Sequence, residues 1–381
     1  MRLSSSIRAS VAQALEEGRL QGALARSLSS AWAKAADARL VKSLDWPPHV
    51  RAIGVGGGTL GGSYKTPLAL AVAHQVASSG RNRVAIVGHG YGARVERARA
   101  VVRTDEARDV GDEAVWLAEK FTRGVVVVAA ERSDAVRYAV AQGANVIVFD
   151  GLHQTTPRRL DHALLVLDAE RPWGASQSPP SGDARASASR LRSLADEVVL
   201  VRTRRGSAER HADDHDRDRD HDHDRDRDRD RDHDHDHDHD RDHHQRVHEG
   251  RYLLEGARLL GGAERLSMAE LRGKRLGLST AIARPSRLVG MLLDEGIVPT
   301  RVVRSADHAG PAFPPVLEGE RPPVDGWLVT EKCASWLRAE QPESYKRLQV
   351  PVFVLEATLA VPTLLRKLEA ASDLDRHRGA P

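Results

Sequence analysis

The segment Thr59–Pro67, TLGGSYKTP, nearly spells the phosphate-binding loop G-x-x-x-x-G-K-[ST]. Such a loop aims backbone N–H groups and a lysine at phosphates, from the start of a helix whose dipole favours anions. The surroundings suit that reading. An apolar strand candidate, Ala52–Val55, leads into the glycines, and a helical pattern follows from Pro67. Lys65 would then meet the β- and γ-phosphates of a nucleotide, and Thr66 would hold Mg2+. Two residues depart from the pattern. Thr59 replaces the first glycine, and Tyr64 replaces the glycine before the lysine, where the backbone often needs dihedrals that a side chain disfavours. Taken alone, the motif leaves two readings open, a nucleotide site and a glycine-rich turn.

Working outward, short runs rich in Val and Ile alternate with helical stretches. Strand candidates are Ala52–Val55, Val84–Gly88, Val125–Ala129, Val146–Asp150, Leu164–Asp168 and Val198–Val201, with helical patterns such as Pro67–Ser78 and Ser133–Gln142 between them. Strands apolar on both faces suit a parallel sheet covered by helices. The expected class is therefore α/β, a P-loop NTPase-like doubly wound parallel sheet. Further strand candidates, Arg275–Leu278, Arg301–Val303, Gly326–Val329 and Val352–Leu355, with helices at Pro285–Glu295 and Pro362–Ala371, predict a second, smaller α/β domain. The divisions expected are 1–45, 46–206, 207–250 and 251–381.

Residues 207–250 hold a run of alternating His, Asp and Arg with no apolar residues to build a core, which reads as a solvated insertion. Eleven of the 18 histidines lie between His211 and His248, so loose binding of divalent metal is one reading and an expanded segment without a dedicated role is the other. The overall charge of +3 hides an asymmetry: residues 211–244 carry −9, which leaves +12 on the rest. A basic body suits phosphate-bearing ligands, anionic lipid or nucleic acid, and charge alone does not choose. One cysteine, Cys333, excludes an internal disulfide and a multi-cysteine zinc site. The opening segment lacks the apolar stretch of an export signal, and no run has the length of a membrane span. Residues 1–45 read as basic helices, with Leu20, Leu24, Leu28 and Trp32 at every fourth position among Arg19, Arg26, Lys34 and Arg39. That stripe either rests on a membrane or packs on the domain behind it.

Further motifs recur in a fixed order. Thr59, Gly61, Gly62, Lys65, Thr66 and Pro67 match [ST]-x-G-G-x-G-K-T-P, and GHGYG (Gly88–Gly92) is similar to S-R-G-Y-G. VGDEA (Val110–Ala114), RSDAV (Arg132–Val136), FDGLHQ (Phe149–Gln154) and PPSGDARASASRL (Pro179–Leu191) follow, then AIARP (Ala281–Pro285), ADH (Ala306–His308) and TEKCA (Thr330–Ala334). In this set the chain resembles the tetraacyldisaccharide 4'-kinases, from Gly54 to about Leu368. The absent first glycine is a trait of that family. Tyr64, Phe149 in place of an aspartate and Ala186 in place of a glutamate are departures from it.

The resemblance implies transfer of the γ-phosphate of ATP, with Mg2+, to the 4'-hydroxyl of a tetraacyldisaccharide 1-phosphate in lipid A biosynthesis. It carries the general base onto Asp112 and its partner onto His308, with Lys65 the third catalytic residue. Thr59, Gly61, Gly62, Ser63, Tyr64, Lys65 and Thr66 would bind nucleotide, Thr66 and Asp150 the metal, and Glu113, Arg132 and Arg185 the substrate. Asp168, at the end of the next strand candidate, is a carboxylate available to offset Phe149. From the residues alone, Asp112 also reads as a helix N-cap, Asp150 as a turn former, His308 as an exposed loop histidine, and Glu113 and Arg132 as surface charges. The expected partners are an acylated disaccharide lipid and an anionic membrane surface, with no nucleic acid. The expected state is a monomer, cytoplasmic and peripheral on the inner face of the inner membrane. Two other readings stay in play, a non-catalytic relative and a metal-binding protein acting through the His/Asp run.

Overall fold

β-Branched residues suit a pleated surface covered on both faces, and the Val/Ile runs of the first half are strands as expected. The computed structural model describes residues 5–88, 90, 93–203, 245–307, 310–314, 323–339 and 345–374, and the statements below concern those residues. His308, three residues of GHGYG (89, 91 and 92) and the His/Asp run through 244 lie outside them.

The first half contains β1 (Val41–Leu44), β2 (Arg51–Gly57), β3 (Val84–Val87), β4 (Arg99–Ala100), β5 (Gly124–Val128), β6 (Val146–Asp150), β7 (Gln154–Pro157), β8 (His162–Asp168) and β9 (Glu197–Arg202). The second contains β10 (Arg246–Leu259), β11 (Arg265–Ser267), β12 (Leu276–Thr280), β13 (Arg301–Arg304), β14 (Gly326–Thr330) and β15 (Val352–Ala360). The helices are α1 (Ser5–Glu16), α2 (Ala23–Arg39), α3 (Lys65–Ser78), α4 (Ala107–Val110), α5 (Asp112–Lys120), α6 (Arg132–Ala141), α7 (Ala188–Leu194), α8 (Met268–Leu271), α9 (Pro285–Asp294), α10 (Glu331–Ala339) and α11 (Pro362–Leu374).

All strands but β1 and β7, which pair with each other, form one sheet in the order β13-β12-β14-β15-β10-β9-β8-β2-β6-β3-β5-β4, with β11 added beside β10. Its core, β5-β3-β6-β2-β8-β9, is parallel throughout. β2 lies between β6 and β8, so the chain leaves it to one side and later returns on the other. Ligands of open α/β sheets bind outside the strand ends at such a switch point. Here the register places Val55 beside Asp150, so the glycine loop starts next to the carboxylate that ends β6.

Helices cover both faces. Leu68, Val72 and Val76 of α3 pack on one side with Ile53, Ile86 and Val148. Ala135, Val136 and Ala139 of α6 close the other with Ile147, Phe149 and Trp46. Each fully buried Leu, Ile or Phe of these layers contributes about 1.5–3 kcal/mol. Alternation along β6 sends Phe149 to the α6 face, where its ring centroid lies 6.1 Å from that of Trp46.

β10 was not among the strand candidates. It pairs parallel to β9 and antiparallel to β15, so the sheet continues without a break across residue 250, and the insertion ends before Arg246. Its first residues alternate, with His248 and Gly250 buried and Arg246, Val247, Glu249 and Arg251 exposed. That pattern carries a strand without a Val/Ile run. Beyond it, α8 and α9 pack on one face of β12, β14 and β15, and α10 packs on the other. α11 then crosses back onto α3 of the first half.

Candidate active site

The glycine loop is bent over the end of β2. A Cβ on Gly57 would lie 2.2 Å from Ser63 Oγ and 2.9 Å from Lys65 Cγ, so the return of the loop needs a glycine there. Gly62 has φ 64° and lies against Arg284, where a Cβ would come within 2.9 Å of Cγ. The segment Asp183–Arg185 clips the outside of the loop: Leu60 N–H donates to the Asp183 carbonyl (3.0 Å) and Arg185 N–H to that of Gly58 (2.9 Å). The Arg185 side chain adds bonds to the Thr59 and Leu60 carbonyls (3.3 and 3.1 Å). Thr59 Oγ1 donates to the Gly61 carbonyl at 2.8 Å.

Tyr64 occupies the N-cap of α3 in the left-handed region, φ 59° and ψ 17°, the conformation the usual glycine would take. For a side chain this costs roughly 1–2 kcal/mol. The ring is buried. It sits 5.2 Å from the Tyr252 ring of β10 and has the Arg287 guanidinium 4.5 Å over its face. Arg287 also donates to the Gly62 carbonyl and pairs with Asp168. The second half thus holds the loop from outside, and the strained residue is anchored by a cation–π contact and an aromatic pair.

Lys65 begins α3 and is half-buried, with Nζ donating to Ser63 Oγ at 3.0 Å. Burial, with the nearby Arg185 adding to it, lowers its pKa to about 8. Thr66 Oγ1 donates to Asp150 Oδ2 at 2.8 Å, and Asp150 Oδ1 is buried with no partner among the described residues. Burial, and then the Glu113 charge, push the Asp150 carboxyl well above the ordinary range. Two hard oxygen donors, one a buried carboxylate oxygen without a partner among the described residues, fit Mg2+, whose charge would favour the ionised Asp150 carboxylate. Arg132 donates to the Asp150 and Gly151 carbonyls (2.9 and 3.3 Å), leaving Nη1 buried and without a partner among the described residues, and burial lowers its pKa to about 10. Arg185 is also lowered, by burial first.

Asp112 is the first residue of α5, and the N-cap is Gly111, so the carboxylate is not the cap. It is 3% exposed. Its Oδ1 accepts the Glu113 backbone N–H at 2.9 Å, and its Oδ2 lies 3.4 Å from both Lys332 Nζ and Trp336 Nε1. Lys332 also meets Glu113 Oε1 (3.7 Å) and Asp307 Oδ1 (2.8 Å). Glu113 is therefore paired across the two halves and is not a lone surface charge.

Asp168 does not face the Thr66–Asp150 pair. Its carboxylate is committed to Arg287 and to the backbone N–H groups of Glu170 and Arg171 (2.8 and 3.0 Å). It offers no replacement for the carboxylate missing at Phe149. Sequence reasoning missed Tyr252, Arg284, Arg287, Asp307, Lys332, Trp336 and His153. The His153 ring fills the space a side chain on Gly56 would take, 2.0 Å from its built Cβ, and burial, then Arg185, Lys65 and Arg132, lower its pKa to about 3, so it is neutral. Arg284 and Lys332 lie within AIARP and TEKCA, which is the signal that could have marked them.

The family model described as Tetraacyldisaccharide-1-P 4'-kinase matches residues 20–372. Relatives named tetraacyldisaccharide 4'-kinase include that of Chelativorans sp. (strain BNC1), 34% identical over 46% of this chain and 50% of its own. That of Sinorhizobium fredii (strain NBRC 101917 / NGR234) is 37% identical over 41% and 45%, and that of Anaeromyxobacter sp. (strain K) 39% over 43% and 45%. The chain spans about half the length of these curated relatives. A solved structure, described as the "apo" form of LpxK from Aquifex aeolicus in complex with ATP, superposes with a TM-score of 0.56 at 18% identity, covering 96% of this chain and 99% of that one. It has the same fold, and the match from residue 20 to residue 372 shows that this chain belongs to the tetraacyldisaccharide-1-P 4'-kinase family.

Proposed function

We propose that the protein is an ATP- and Mg2+-dependent kinase that phosphorylates the 4'-hydroxyl of a tetraacyldisaccharide 1-phosphate in lipid A biosynthesis. The observation that carries this reading is the Thr66 hydroxyl bonded to Asp150 at 2.8 Å, beneath a glycine loop that bears Lys65. In it the loop from Thr59 to Thr66 cradles the phosphates, and Lys65 neutralises them. Thr66 and Asp150 would hold Mg2+, which would supply neutralisation of phosphate charge when bound. Arg185 fixes the loop and adds a cation. Arg132 holds the end of β6 and keeps one guanidinium nitrogen for an incoming anion. Asp112 accepts the proton of the sugar hydroxyl, with His308 as its expected partner. The domain division proposed is an N-terminal helical segment, a phosphate-loop domain, a His/Asp/Arg-rich insertion and a C-terminal α/β domain, with the two α/β domains sharing the continuous sheet.

The test is purified full-length protein with labelled ATP, Mg2+ and the lipid disaccharide. Label at the 4' position is the expected result, and none at any enzyme concentration would overturn it. Phe149 and Ala186, both buried where the family has carboxylates, favour a second reading of a relative that binds nucleotide without turnover. ATP binding without transfer would select it.

Tyr64→Gly separates a compromised loop from one built around its tyrosine. The ring's contacts to Tyr252 and Arg287 favour the second. Losing the ring should cost about 3–5 kcal/mol, offset by about 1–2 from relieved backbone strain, so thermal stability falls. With Arg287 no longer seated, ATP affinity should fall on the order of tenfold, about 1.4 kcal/mol. Tyr64→Phe, which removes only a hydroxyl without a partner among the described residues, should bind as wild type. Calorimetric titration that finds tighter ATP binding to Tyr64→Gly would refute this.

The N-terminal helices support attachment to a membrane surface. The apolar residues Leu20, Leu24, Leu28 and Trp32 are 54%, 75%, 52% and 50% exposed, and Ile7 and Val11 of α1 are similarly open. α2 docks through Ala36, packed on an apolar cluster, and through polar contacts: buried Ser29 accepts the Ser181 N–H at 3.1 Å, and Asp37 accepts the Ser187 N–H and Oγ–H (2.9 and 2.6 Å). An apolar stripe facing outward beside basic residues fits an anionic interface. No helix among the described residues is long and apolar enough to cross a membrane. The proposed state is a monomer peripheral to the cytoplasmic face. Leu24→Glu/Trp32→Glu should weaken flotation with anionic vesicles at low salt by at least about tenfold, since each charge must be drawn into the interface. Wild-type protein that stays off such vesicles would sink the attachment.

A further inference from the structure

We propose that Lys332 is a positioning residue for phosphoryl acceptance, its ammonium fixing the Asp112 carboxylate and the segment ending at Asp307 against each other. The inference rests on reading Asp112 as the base. α5 and α10 lie side by side across the two halves. Further along, they are already tied together by the Trp116 indole N–H to Glu331 (3.0 Å), by Lys120 with Glu331 and by Arg338 with Glu119 at 2.5 Å. Joining the helices therefore does not require a further pair at the mouth of the site.

What stands there is not a simple pair. One ammonium meets three carboxylates: Asp307 at 2.8 Å, Asp112 at 3.4 Å and Glu113 at 3.7 Å. Its side chain is 17% exposed and that of Asp112 is 3% exposed. Three acids around one largely buried cation are weak evidence of stabilisation. The arrangement is a suitable way to hold a carboxylate in one orientation. An ammonium has three donors and no acceptor, so each can be aimed at a different acid, and it cannot take the proton that Asp112 must accept. The Trp336 N–H restrains the same Oδ2 from the next turn of α10. Burial opposes the charge on Lys332, but the three carboxylates outweigh it and hold its pKa above the ordinary lysine value, so it remains a cation at any working pH. Asp307 directly precedes His308 in the chain, and the one cation thereby links the base of the first half to the histidine-bearing segment of the second.

The test compares Lys332→Gln, Lys332→Arg and Asp112→Asn in full-length protein, with turnover referred to the nucleotide-binding fraction. Lys332→Gln removes the charge but keeps a donor. Its kcat should fall about a hundredfold, as for loss of an aligned general base, with ATP affinity within about twofold of wild type. Removing a cation beside a carboxylate makes it harder to ionise, so the acid limb of the kcat–pH profile should move to higher pH. Lys332→Arg keeps the charge but not the point geometry. Its acid limb should stay in place while kcat falls about tenfold, because a planar fork does not reproduce an ammonium's contacts. Lys332→Gln in the Asp112→Asn background should lower kcat no further. Unchanged kcat in folded Lys332→Gln, or a fall with an unmoved acid limb, overturns the inference while leaving Asp112 as the base. Full turnover in Asp112→Asn overturns both. If Lys332→Gln does not fold, Lys332→Arg decides: wild-type turnover refutes the role, and the tenfold loss at wild-type nucleotide affinity supports it.

Discussion

Replacing Lys65 by alanine is expected to lower kcat/KM for phosphoryl transfer about a thousandfold while leaving the nucleotide-free fold as stable as wild type or more so. The two halves of this expectation have one cause. Without nucleotide, Lys65 is a cation held among protein atoms with the Ser63 hydroxyl as its hydrogen-bond partner among the described residues, and with Arg185 nearby. Burial and that repulsion bring its pKa down from 10.5 to about 8. Phosphates are the groups that would restore it. A site that keeps an under-solvated cation waiting for an anion sacrifices stability for transition-state charge neutralisation. Steady-state kinetics beside thermal melts would check both halves. A variant that melts well below wild type, or that keeps more than about a tenth of kcat/KM, would contradict the assignment.

The same shift fixes a pH signature. The folded pKa lies below the unfolded one, so between about pH 8 and 10.5 the unfolded chain binds more protons at this position and stability rises with pH. Below about pH 8 both states are protonated and the penalty is fully present. Above 10.5 both are neutral and it is gone. Nucleotide phosphates push the pKa back up, so ATP binding above about pH 8 should take up a proton. Titration calorimetry in buffers of different ionisation enthalpy would detect the uptake, and Lys65→Ala should lack it.

The parts of the molecule that could be read from the sequence share a physical reason. β2, β3, β5, β6 and β8 are buried on both faces, so their Val/Ile runs are the strand signal itself, and the glycine loop adjoins one of them. β10 escaped because it alternates exposed and buried residues at its start and follows a low-complexity run, so its period was masked by Arg and Glu. Tyr64 was legible as an anomaly but not as an anchored residue, since its partners, Tyr252 and Arg287, come from the other half of the chain. Asp168 looked available because it ends a strand near the loop, but strand-end position does not reveal that Arg287 occupies it. The carboxylates around Lys332 come from α5 and from the segment after β13, and only the packing of α5 on α10 brings them together.

The second large effect is expected at Asp112. Asp112→Asn should reduce kcat by about three orders of magnitude, at the upper range for loss of a general base, with ATP affinity unchanged within about twofold. The substitution is chosen for what it keeps. Asparagine has the same shape and still offers an oxygen to the Glu113 backbone N–H, and losing a first-turn charge from the helix dipole should cost only about 0.3–1 kcal/mol. If the carboxylate only served the start of α5, Asp112→Asn would therefore be nearly silent in both activity and stability. What asparagine lacks is a basic oxygen. The loss should consequently fall on kcat, because proton acceptance belongs to the transition state and not to the binding of nucleotide. Asp112 is bonded to the Glu113 N–H and faces Lys332, while Thr66 and Asp150 bond each other, which is why nucleotide and Mg2+ binding should survive. Single-turnover transfer measured beside calorimetric ATP titration resolves the two quantities. A matched fall in ATP affinity would make Asp112 part of the nucleotide site, and full transfer by Asp112→Asn would require another residue to take the proton.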